Sequence, residues 1–372
     1  MTDLGATLRA AREAAGMSLS AMAARTHYSK PLLGLLETGK RNAKPEHVEA
    51  YSRALNIPPE LLLGPPGDPV RMAHEWLVSD SPTVVQSRSG RQMGACLAGL
   101  LEARVIKLRH MDDVIGGGDL FPVVSKELSE VQEVVQSASY SGSIGRRLLT
   151  VVGELAQLAG WVASDAGRYA QAQSVYLNGV SAAREAGQRP LAGQLLSSLS
   201  YQLANVGSTR DAALLARSAA KGADGASPIV RALLMERVAW ASARNRDFEA
   251  ARRALDTVDE VYETRSPDIE EPKWVYWLDR NEIDVMAGRC LIEMRNPKAA
   301  EPLLSRAIDA YDPDRAREVA LYLSWLAEAY AKAGEIDAAR AALKRARKTG
   351  SGINSARLDR RIAEVDKLSA LD

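Results

Sequence analysis

Positively charged side chains crowd one short stretch near the start of the chain. Between residues 25 and 44, five cations stand against one acid, Glu37, so the local net charge is 5 − 1 = +4. The five cations are Arg25, Lys30, Lys40, Arg41 and Lys44. Guanidinium and ammonium groups at this density are typical of a surface that contacts phosphate oxygens. A solvated basic turn is the alternative interpretation.

Aromatic and charged side chains recur at wide, regular intervals in the second half of the chain. Successive members of one series are 40, 39, 49 and 39 residues apart: Trp161, Tyr201, Trp240, Arg289 and Glu328. A second series stands four residues after the first four members: Asp165, Asn205, Arg244 and Glu293. On helices the two series share a face. Rings of this kind are rigid apolar anchors, and Asn205 and Arg244 carry the chemistry that binds a backbone amide or a carboxylate.

Residue sets typical of enzymes do not occur in the sequence. No nucleophile with a matching acid and base, no glycine-rich phosphate loop and no set of metal ligands is present. His110, with Asp112, Asp113 and Asp119, lies beside the triple glycine 116–118, but no second histidine or cysteine stands at metal-binding spacing. We interpret this cluster as a helix end with solvated acids. We therefore expect no enzymatic activity, no cofactor and no metal.

The composition favours helix from end to end. Aromatic residues make up 5% of the chain, alanine and leucine dominate, and β-branched runs are short. The net charge is +1, so any basic surface must be local. We interpret Cys96 and Cys290 as buried, reduced thiols. With no signal peptide and no run of about 18 apolar residues, the sequence predicts an all-α cytoplasmic protein without membrane contact.

The stretch from residue 4 to residue 63 predicts five short helices. Gly16 ends the first helix and Ser18 caps the second. Ser29 caps a third helix from Lys30 to Glu37, and Pro31 is tolerated in its first turn because the missing amide would be unpaired there. Two helices joined by a turn of about four residues are the geometry that lays the second helix in the DNA major groove.

The sequence from Gly16 to Gly64 resembles the XRE (Cro/C1-type) helix-turn-helix family. The resemblance rests on these features: the small Ala23, Ser29 before the recognition helix, the Leu33/Leu36 core pair, the Glu37-x-Gly39 ending and a closing Pro-x-x-Leu. It implies DNA binding through Arg25, Ser29, Lys30, Lys40, Arg41 and Lys44.

The sequence departs from the family pattern in two respects. Leu19 stands where members commonly place glutamine, and the exposed positions of the recognition helix are poor in hydrogen-bonding groups: Lys30, Pro31, Leu32, Gly34 and Leu35. Phosphate contacts from Lys30, Lys40 and Arg41 remain, so base readout would rest on thymine methyl contacts or on DNA shape.

A dense group of helix breakers, residues 65–69, predicts a linker after a first domain at 1–64. Residues 70–150 predict a helical connecting region, with helices at about 70–79, 90–114 and 120–138 that fit no repeat. Residues 151–372 predict a repeat domain.

The repeat domain is recognised by small residues at fixed offsets. Alanines that close a short turn recur at intervals of 40, 39, 49 and 39 residues: Ala172, Ala212, Ala251, Ala300 and Ala339. Another small residue stands seven positions before the start of each turn: Gly160, Ser200, Ala239, Gly288 and Ala327. Antiparallel helices approach closely only where both present small side chains, so the pattern predicts five helical hairpins.

This pattern resembles tetratricopeptide repeats over residues 155 to 350, with a capping helix from Ser355 to Leu368. In that family the first helix of each hairpin lines a concave groove. The resemblance therefore implies a ligand groove formed by Trp161, Tyr201, Asn205, Trp240, Arg244 and Arg289. Packing between neighbouring first helices is the alternative interpretation of the rings. A second cluster, Trp274, Tyr276 and Trp277, lies in the longer interval and is either an interface or core.

The combination resembles actinobacterial and peptide-responsive transcriptional regulators of Gram-positive bacteria. It implies a homodimer that binds a double-stranded DNA operator and senses a peptide, a small molecule or a protein partner. The alternative function is a tetratricopeptide interaction scaffold, antitoxin-like or anti-activator-like, with a degenerate DNA-binding head. Salt-dependent binding to a defined operator would distinguish the two.

Overall fold

The computed structural model describes residues 4–41, 43, 45–55, 91–92, 95–312 and 315–369. The chain divides into two compact units after residue 68, and each unit is described by itself. Four predicted features lie outside the described residues: the fifth helix of the first domain, the linker at 65–69, the helix at about 70–79 and Lys44.

The first unit contains four described helices: α1 (Leu4–Ala14), α2 (Leu19–Thr26), α3 (Lys30–Glu37) and α4 (Pro45–Leu55). The predicted caps are present, because Ser18 Oγ accepts a hydrogen bond from the Ala21 amide and Ser29 Oγ accepts one from the Leu32 amide. These bonds satisfy amides that the first turn of a helix leaves unpaired. The helices enclose one small apolar core: Leu8, Met22, Leu33, Leu36, Val48 and Tyr51.

The described part of the second unit opens with a two-residue parallel pairing of Arg91–Gln92 with Ala138–Ser139. The first helices described there are α5 (Ala95–Asp112) and α6 (Gly117–Ser137). Five hairpins follow: α7 (Gly142–Asp165) with α8 (Tyr169–Glu185), α9 (Arg189–Val206) with α10 (Thr209–Gly222), α11 (Pro228–Arg244) with α12 (Phe248–Tyr262), α13 (Arg280–Glu293) with α14 (Pro297–Ala310), and α15 (Ala316–Ala333) with α16 (Ile336–Thr349). The last helix is α17 (Ala356–Ser369). The predicted all-α class and the array of hairpins are confirmed.

The predicted small residues form the contact inside each hairpin. All five closing alanines are fully buried: Ala172, Ala212, Ala251, Ala300 and Ala339. A Cβ atom at Gly160 would collide with the ring of Tyr176, and Ser200 Oγ donates to the Ala212 carbonyl across its hairpin at 2.8 Å. At these positions a side chain of one helix therefore packs against the backbone of the other, which leaves no room for larger side chains.

The hairpin array of the second unit closes on itself through Asp165 at the end of α7. The carboxylate of Asp165 is 1% exposed and accepts hydrogen bonds from the Gly117 amide, from Ser355 Oγ and from Arg357 Nε, each at 2.9 Å. The Gly118 amide also donates to the Asn354 carbonyl at 3.0 Å. Asp165 was predicted on the groove face, but it instead ties α7 to α6 and to the C-terminal helix.

Two sequence interpretations need correction. Of the acids near the triple glycine, Asp119 is exposed as expected, but Asp112 is not solvated, because it is 9% exposed and accepts a hydrogen bond from Arg317 Nη1 at 2.9 Å. Cys96 is exposed, whereas Cys290 is buried as expected, and burial raises the pKa of the Cys290 thiol to about 12. Among the described residues, no helix is both long enough and apolar enough to cross a bilayer.

Candidate functional site

The basic side chains of the first unit lie at the start of α3 and in the turn after it. Lys30, Lys40 and Arg41 are exposed. The turn is held by two backbone hydrogen bonds, from Gly39 to the Leu36 carbonyl and from Arg41 to the Leu35 carbonyl, each at 3.1 Å. Gly39 has a φ of 68°, a left-handed conformation that favours glycine. The fold therefore fixes the backbone from which Lys40 and Arg41 project.

Glu37, the acid within this basic stretch, does not reduce the positive charge that the stretch presents to solvent. Glu37 is 4% exposed and receives two hydrogen bonds of 2.7 Å from the guanidinium of Arg12. Tyr51 Oη donates to the same carboxylate at 2.8 Å. Because Arg12 neutralises Glu37 within the core, the exposed cations keep their full positive potential toward solvent.

Arg25 and Ser29 have structural contacts of their own. Arg25 is exposed, and its guanidinium donates to the Ala54 carbonyl at the end of α4 at 3.0 Å. Ser29 is exposed and caps α3. Of the predicted DNA contacts, Lys30, Lys40 and Arg41 are the exposed cations for which the structure shows no competing hydrogen bond among the residues that it describes.

The outer face of α3 is poor in groups that read bases. It exposes Lys30, Pro31 and Leu35, and a Cβ atom placed on Gly34 would meet nothing within 4 Å. The face therefore offers one side-chain donor next to a flat apolar patch. Such a surface fits close approach to a DNA backbone or to thymine methyl groups better than a set of bidentate base contacts.

The second unit encloses a cavity of about 620 Å³ on the inner side of its hairpin array. Its walls come from the first helix of every hairpin, with further side chains from α5, from α17 and from the segment between α12 and α13. Five of the six predicted groove residues line it: Trp161, Tyr201, Asn205, Arg244 and Arg289. A cavity of this size is typical of sites for small organic molecules and short peptide segments.

Trp240 is the exception among the predicted groove residues. It is fully buried and does not line the cavity. Its ring meets Trp325 edge to face at 5.5 Å, and the guanidinium carbon of Arg289 lies 4.2 Å from its centroid. Trp325 and Arg289, which belong to later repeats, cover the indole of Trp240. Trp240 therefore packs against Arg289 as part of the core.

The arginine at the centre of the cavity is stacked on three aromatic rings. The guanidinium carbon of Arg289 lies 4.2 Å from the Trp240 centroid, 4.5 Å from that of Trp325 and 5.3 Å from that of Tyr201. Arg289 Nη1 also donates to Tyr201 Oη at 3.0 Å. Its Nε has no partner among the described residues. Cation–π contacts hold the group in place without neutralising it.

Arg237 on α11 is a second cation that the sequence interpretation missed. Its guanidinium carbon lies 4.6 Å from the Tyr201 centroid and 5.9 Å from that of Trp277. The residue is 5% exposed, and its Nε has no partner within the described part of the chain. Arg237 stands three positions before Trp240, and the residue at that offset in every repeat lines the cavity: Leu158, Ser198, Arg237, Met286 and Trp325. The shared offset within the repeat is the one feature of the sequence that these five residues have in common.

The charges that act most strongly on Tyr201 are positive. Burial would raise the pKa of the Tyr201 phenol, but Arg289, Arg357 and Arg237 together lower it to about 8. Glu236 lines the same cavity, and burial raises the pKa of its carboxyl group to about 8. At neutral pH both groups therefore keep their protons, and neither neutralises the two arginines.

Charges nearer the rim of the cavity are paired. Arg244 Nη1 donates to Glu293 Oε1 at 2.9 Å, and Asn205 Nδ2 donates to the Tyr201 carbonyl at 2.6 Å. Trp277 lines the cavity, while Trp274 beside it is buried, so the second aromatic cluster is part wall and part core. Over the residues that the structure describes, no group of three or more histidine, cysteine or acidic side chains could hold a metal ion.

Residues 3–63 match the family model of a helix-turn-helix domain. The match confirms the helix-turn-helix domain that the sequence predicts at the start of the chain. No curated protein matches the sequence significantly.

Three solved structures are similar to the chain. The crystal structure of BtubC (BKLC) from P. vanneervenii has a TM-score of 0.42 at 17% identity, over 62% of this chain and 89% of that one. The PrgX/iCF10 complex has a TM-score of 0.36 at 11% identity, over 90% and 91%. A bacterial peptide pheromone/receptor complex has a TM-score of 0.31 at 11% identity, over 95% and 100%. The ligands named here are those of the other proteins.

Proposed function

We propose that the chain is a cytoplasmic DNA-binding transcriptional regulator without enzymatic activity, whose second unit binds a ligand in its inner cavity. The observation that carries the proposal is the helix-turn-helix unit with Lys30, Lys40 and Arg41 exposed at and after α3. The cavity supports the sensing half, because it combines aromatic walls with buried polar groups on one inner surface.

The DNA contact is dominated by phosphate. Lys30, Lys40 and Arg41 supply cations that are not tied to acids, while α3 supplies little for base recognition. Binding should therefore be strongly salt dependent, and sequence preference should come from DNA shape and apolar contacts. We further propose that the protein acts as a homodimer, because a single head of this size contacts only one half-site and two linked heads gain avidity.

The proposal is tested by equilibrium DNA binding of the full chain over a range of salt concentrations. In the variant with Lys30→Ala and Arg41→Ala, affinity should fall, and the slope of log K against log salt should shrink by about two because each lost phosphate contact accounts for about 0.9. The matched control removes two exposed cations elsewhere in the same unit, Arg9→Ala with Arg53→Ala. Equal effects of the two double variants would argue against the assigned surface.

The scaffold alternative makes a different prediction. If the head no longer reads DNA, binding is weak, indifferent to DNA sequence and unchanged by Lys30→Ala with Arg41→Ala. The exposed apolar face of α3, with Pro31 and Leu35, is the observation that favours this alternative, because such a patch also suits a protein partner. Sequence-specific enrichment of DNA by the full chain would rule it out.

A further inference from the structure

The arginines around the inner cavity are not alike. Nine arginines line it, and seven of them lie within 4 Å of a carboxylate oxygen: Arg109, Arg244, Arg315, Arg317, Arg357, Arg360 and Arg361. The other two, Arg237 and Arg289, form no such pair among the described residues, although each is 5% exposed. A buried cation without an acid is costly, so its retention is characteristic of a site whose counter-ion arrives with a ligand.

We propose that the inner cavity is a carboxylate receptor in which Arg237 and Arg289 hold the anion beside Tyr201. This inference rests on the proposed function, since it names the chemical class of the ligand in that same cavity.

The geometry supports recognition of one anion by both cations. Each guanidinium stacks on the ring of Tyr201, at 4.6 Å for Arg237 and 5.3 Å for Arg289, so the two groups flank one side chain. Each has an Nε without a partner among the residues described. Because the faces of Arg289 are covered by aromatic rings, its edge remains for a ligand. A planar carboxylate can match a guanidinium edge with two parallel hydrogen bonds.

A phosphate group fits the cavity less well. Many phosphate sites in proteins include backbone amides at a helix N-terminus. Tyr201, Arg237 and Arg289 lie inside α9, α11 and α13, where the backbone amides already bond within the helix. Side chains alone must therefore hold the ligand. Trp161 and Trp277, which also line the cavity, provide aromatic surface for the apolar part of an organic acid.

Glu236 and Tyr201 make the receptor pH dependent. The charged groups around Tyr201 are Arg289 on α13, Arg237 on α11 and Arg357 on α17. Those that act on Glu236 are Arg237 on α11 and Glu282, Arg289 and Arg280 on α13. Above about pH 8, Tyr201 and Glu236 lose their protons, and the new negative charges compete with the ligand for the arginines. Carboxylate affinity should therefore fall as the pH rises through 8.

The test measures binding of defined probes to the full chain by titration calorimetry at neutral pH. The probes are benzoate and its neutral analogue benzamide, together with N-acetyl-leucyl-phenylalanine as the free acid and as the amide. At least one acid should bind at least about tenfold more tightly than its amide. Preference for benzoate would indicate a small organic acid, and preference for the dipeptide acid would indicate a peptide C-terminus.

Variants assign the effect to the cavity. Arg237→Gln and Arg289→Gln should each weaken binding of the acid by at least about tenfold. The control Arg252→Gln, an exposed residue on α12, should leave it unchanged. Equal binding of acid and amide, no binding of either acid at its solubility limit, tighter binding of inorganic phosphate, or variants that bind like wild type would each overturn the proposal.

An optical readout tests the placement without the arginine variants. In the free protein, tyrosinate absorbance should show one phenol titrating near pH 8, and Tyr201→Phe should remove that step. A bound carboxylate should move the step to higher pH, because it neutralises the arginines that lower the pKa of Tyr201. A step that does not move while the acid is bound contradicts the placement.

Failure of this inference is distinguishable from failure of the proposed function. Carboxylate binding is measured without DNA, and DNA binding is measured without a ligand. A regulator with a different ligand would bind its operator but show no preference for acids over amides. A carboxylate-binding scaffold would show that preference without sequence-specific DNA binding.

Discussion

Two buried arginines of the second unit should respond in opposite directions to the same substitution. Arg237 and Arg317 are 5% and 3% exposed. Arg317 Nη1 donates to Asp112 at 2.9 Å and Arg317 Nη2 donates to Glu318 at 2.8 Å, whereas Arg237 has no carboxylate partner among the described residues. Replacing each by methionine keeps the apolar stem and removes the charge.

The expected change in the free energy of unfolding depends on whether the arginine that is replaced has a carboxylate partner. For Arg317→Met, buried acids lose their counter-ion, which costs about 3–5 kcal/mol. For Arg237→Met, an unpaired buried cation is removed. The desolvation penalty of such an ion is several kcal/mol, and the stacking on Tyr201 recovers about 2 kcal/mol of it. The ligand-free protein should therefore become more stable by about 1–3 kcal/mol.

The assay is urea unfolding at neutral pH, followed by far-ultraviolet circular dichroism and by tryptophan fluorescence. Both probes are needed because repeat arrays can unfold in stages. The Arg237→Met midpoint should rise and the Arg317→Met midpoint should fall. The reasoning would be refuted if Arg237→Met destabilised the protein as much as Arg317→Met. In that case the charge of Arg237 would already be balanced by a partner inside the folded protein.

Three further outcomes follow from the same contacts. Glu236 keeps its proton in the folded state up to about pH 8 but loses it near 4.5 when unfolded, so the stability of the wild type should fall as pH rises between these values, by at most about 1.4 kcal/mol per unit. Glu236→Gln should make that slope shallower in pH-dependent urea titrations, while Glu154, Glu282 and Glu318, whose pKa values burial also raises, keep part of it. Gly160→Ala should destabilise the second unit by about 1–3 kcal/mol through overpacking, while Gly142→Ala, where a Cβ atom meets nothing within 4 Å, should change the midpoint little. Glu37→Gln leaves a buried guanidinium without its acid and should destabilise the first unit by about 3–5 kcal/mol, seen as a lower melting temperature of that unit.

The sequence predicts the hairpins well because their contacts are local. Gly160 and Tyr176 meet within one hairpin, and the requirement for a small side chain at such a contact gives the sequence a periodic pattern. The caps at Ser18 and Ser29 are equally local, since each bonds an amide three residues away.

Contacts between distant repeats produce no periodic pattern in the sequence. Asp165 bonds Ser355 and Arg357, 190 and 192 residues further along the chain, so its role at the closure of the array was not visible in the repeat pattern. Trp240 shares its repeat position with Trp161 but is covered by later repeats, which the alignment of single hairpins does not show. Arg237 was missed because its neighbours in the series are Leu158, Ser198 and Met286, which share no chemistry with it.

DNA selection from a random duplex library by the full chain tests the proposed function most directly. Wild-type protein should enrich one motif with two-fold symmetry, with half-sites separated by about 10 base pairs or a multiple of that spacing, and the Lys30→Ala, Arg41→Ala variant should enrich none. A library that stays random with wild-type protein, at salt low enough for non-specific binding, would contradict the assignment of the chain as a DNA-binding regulator.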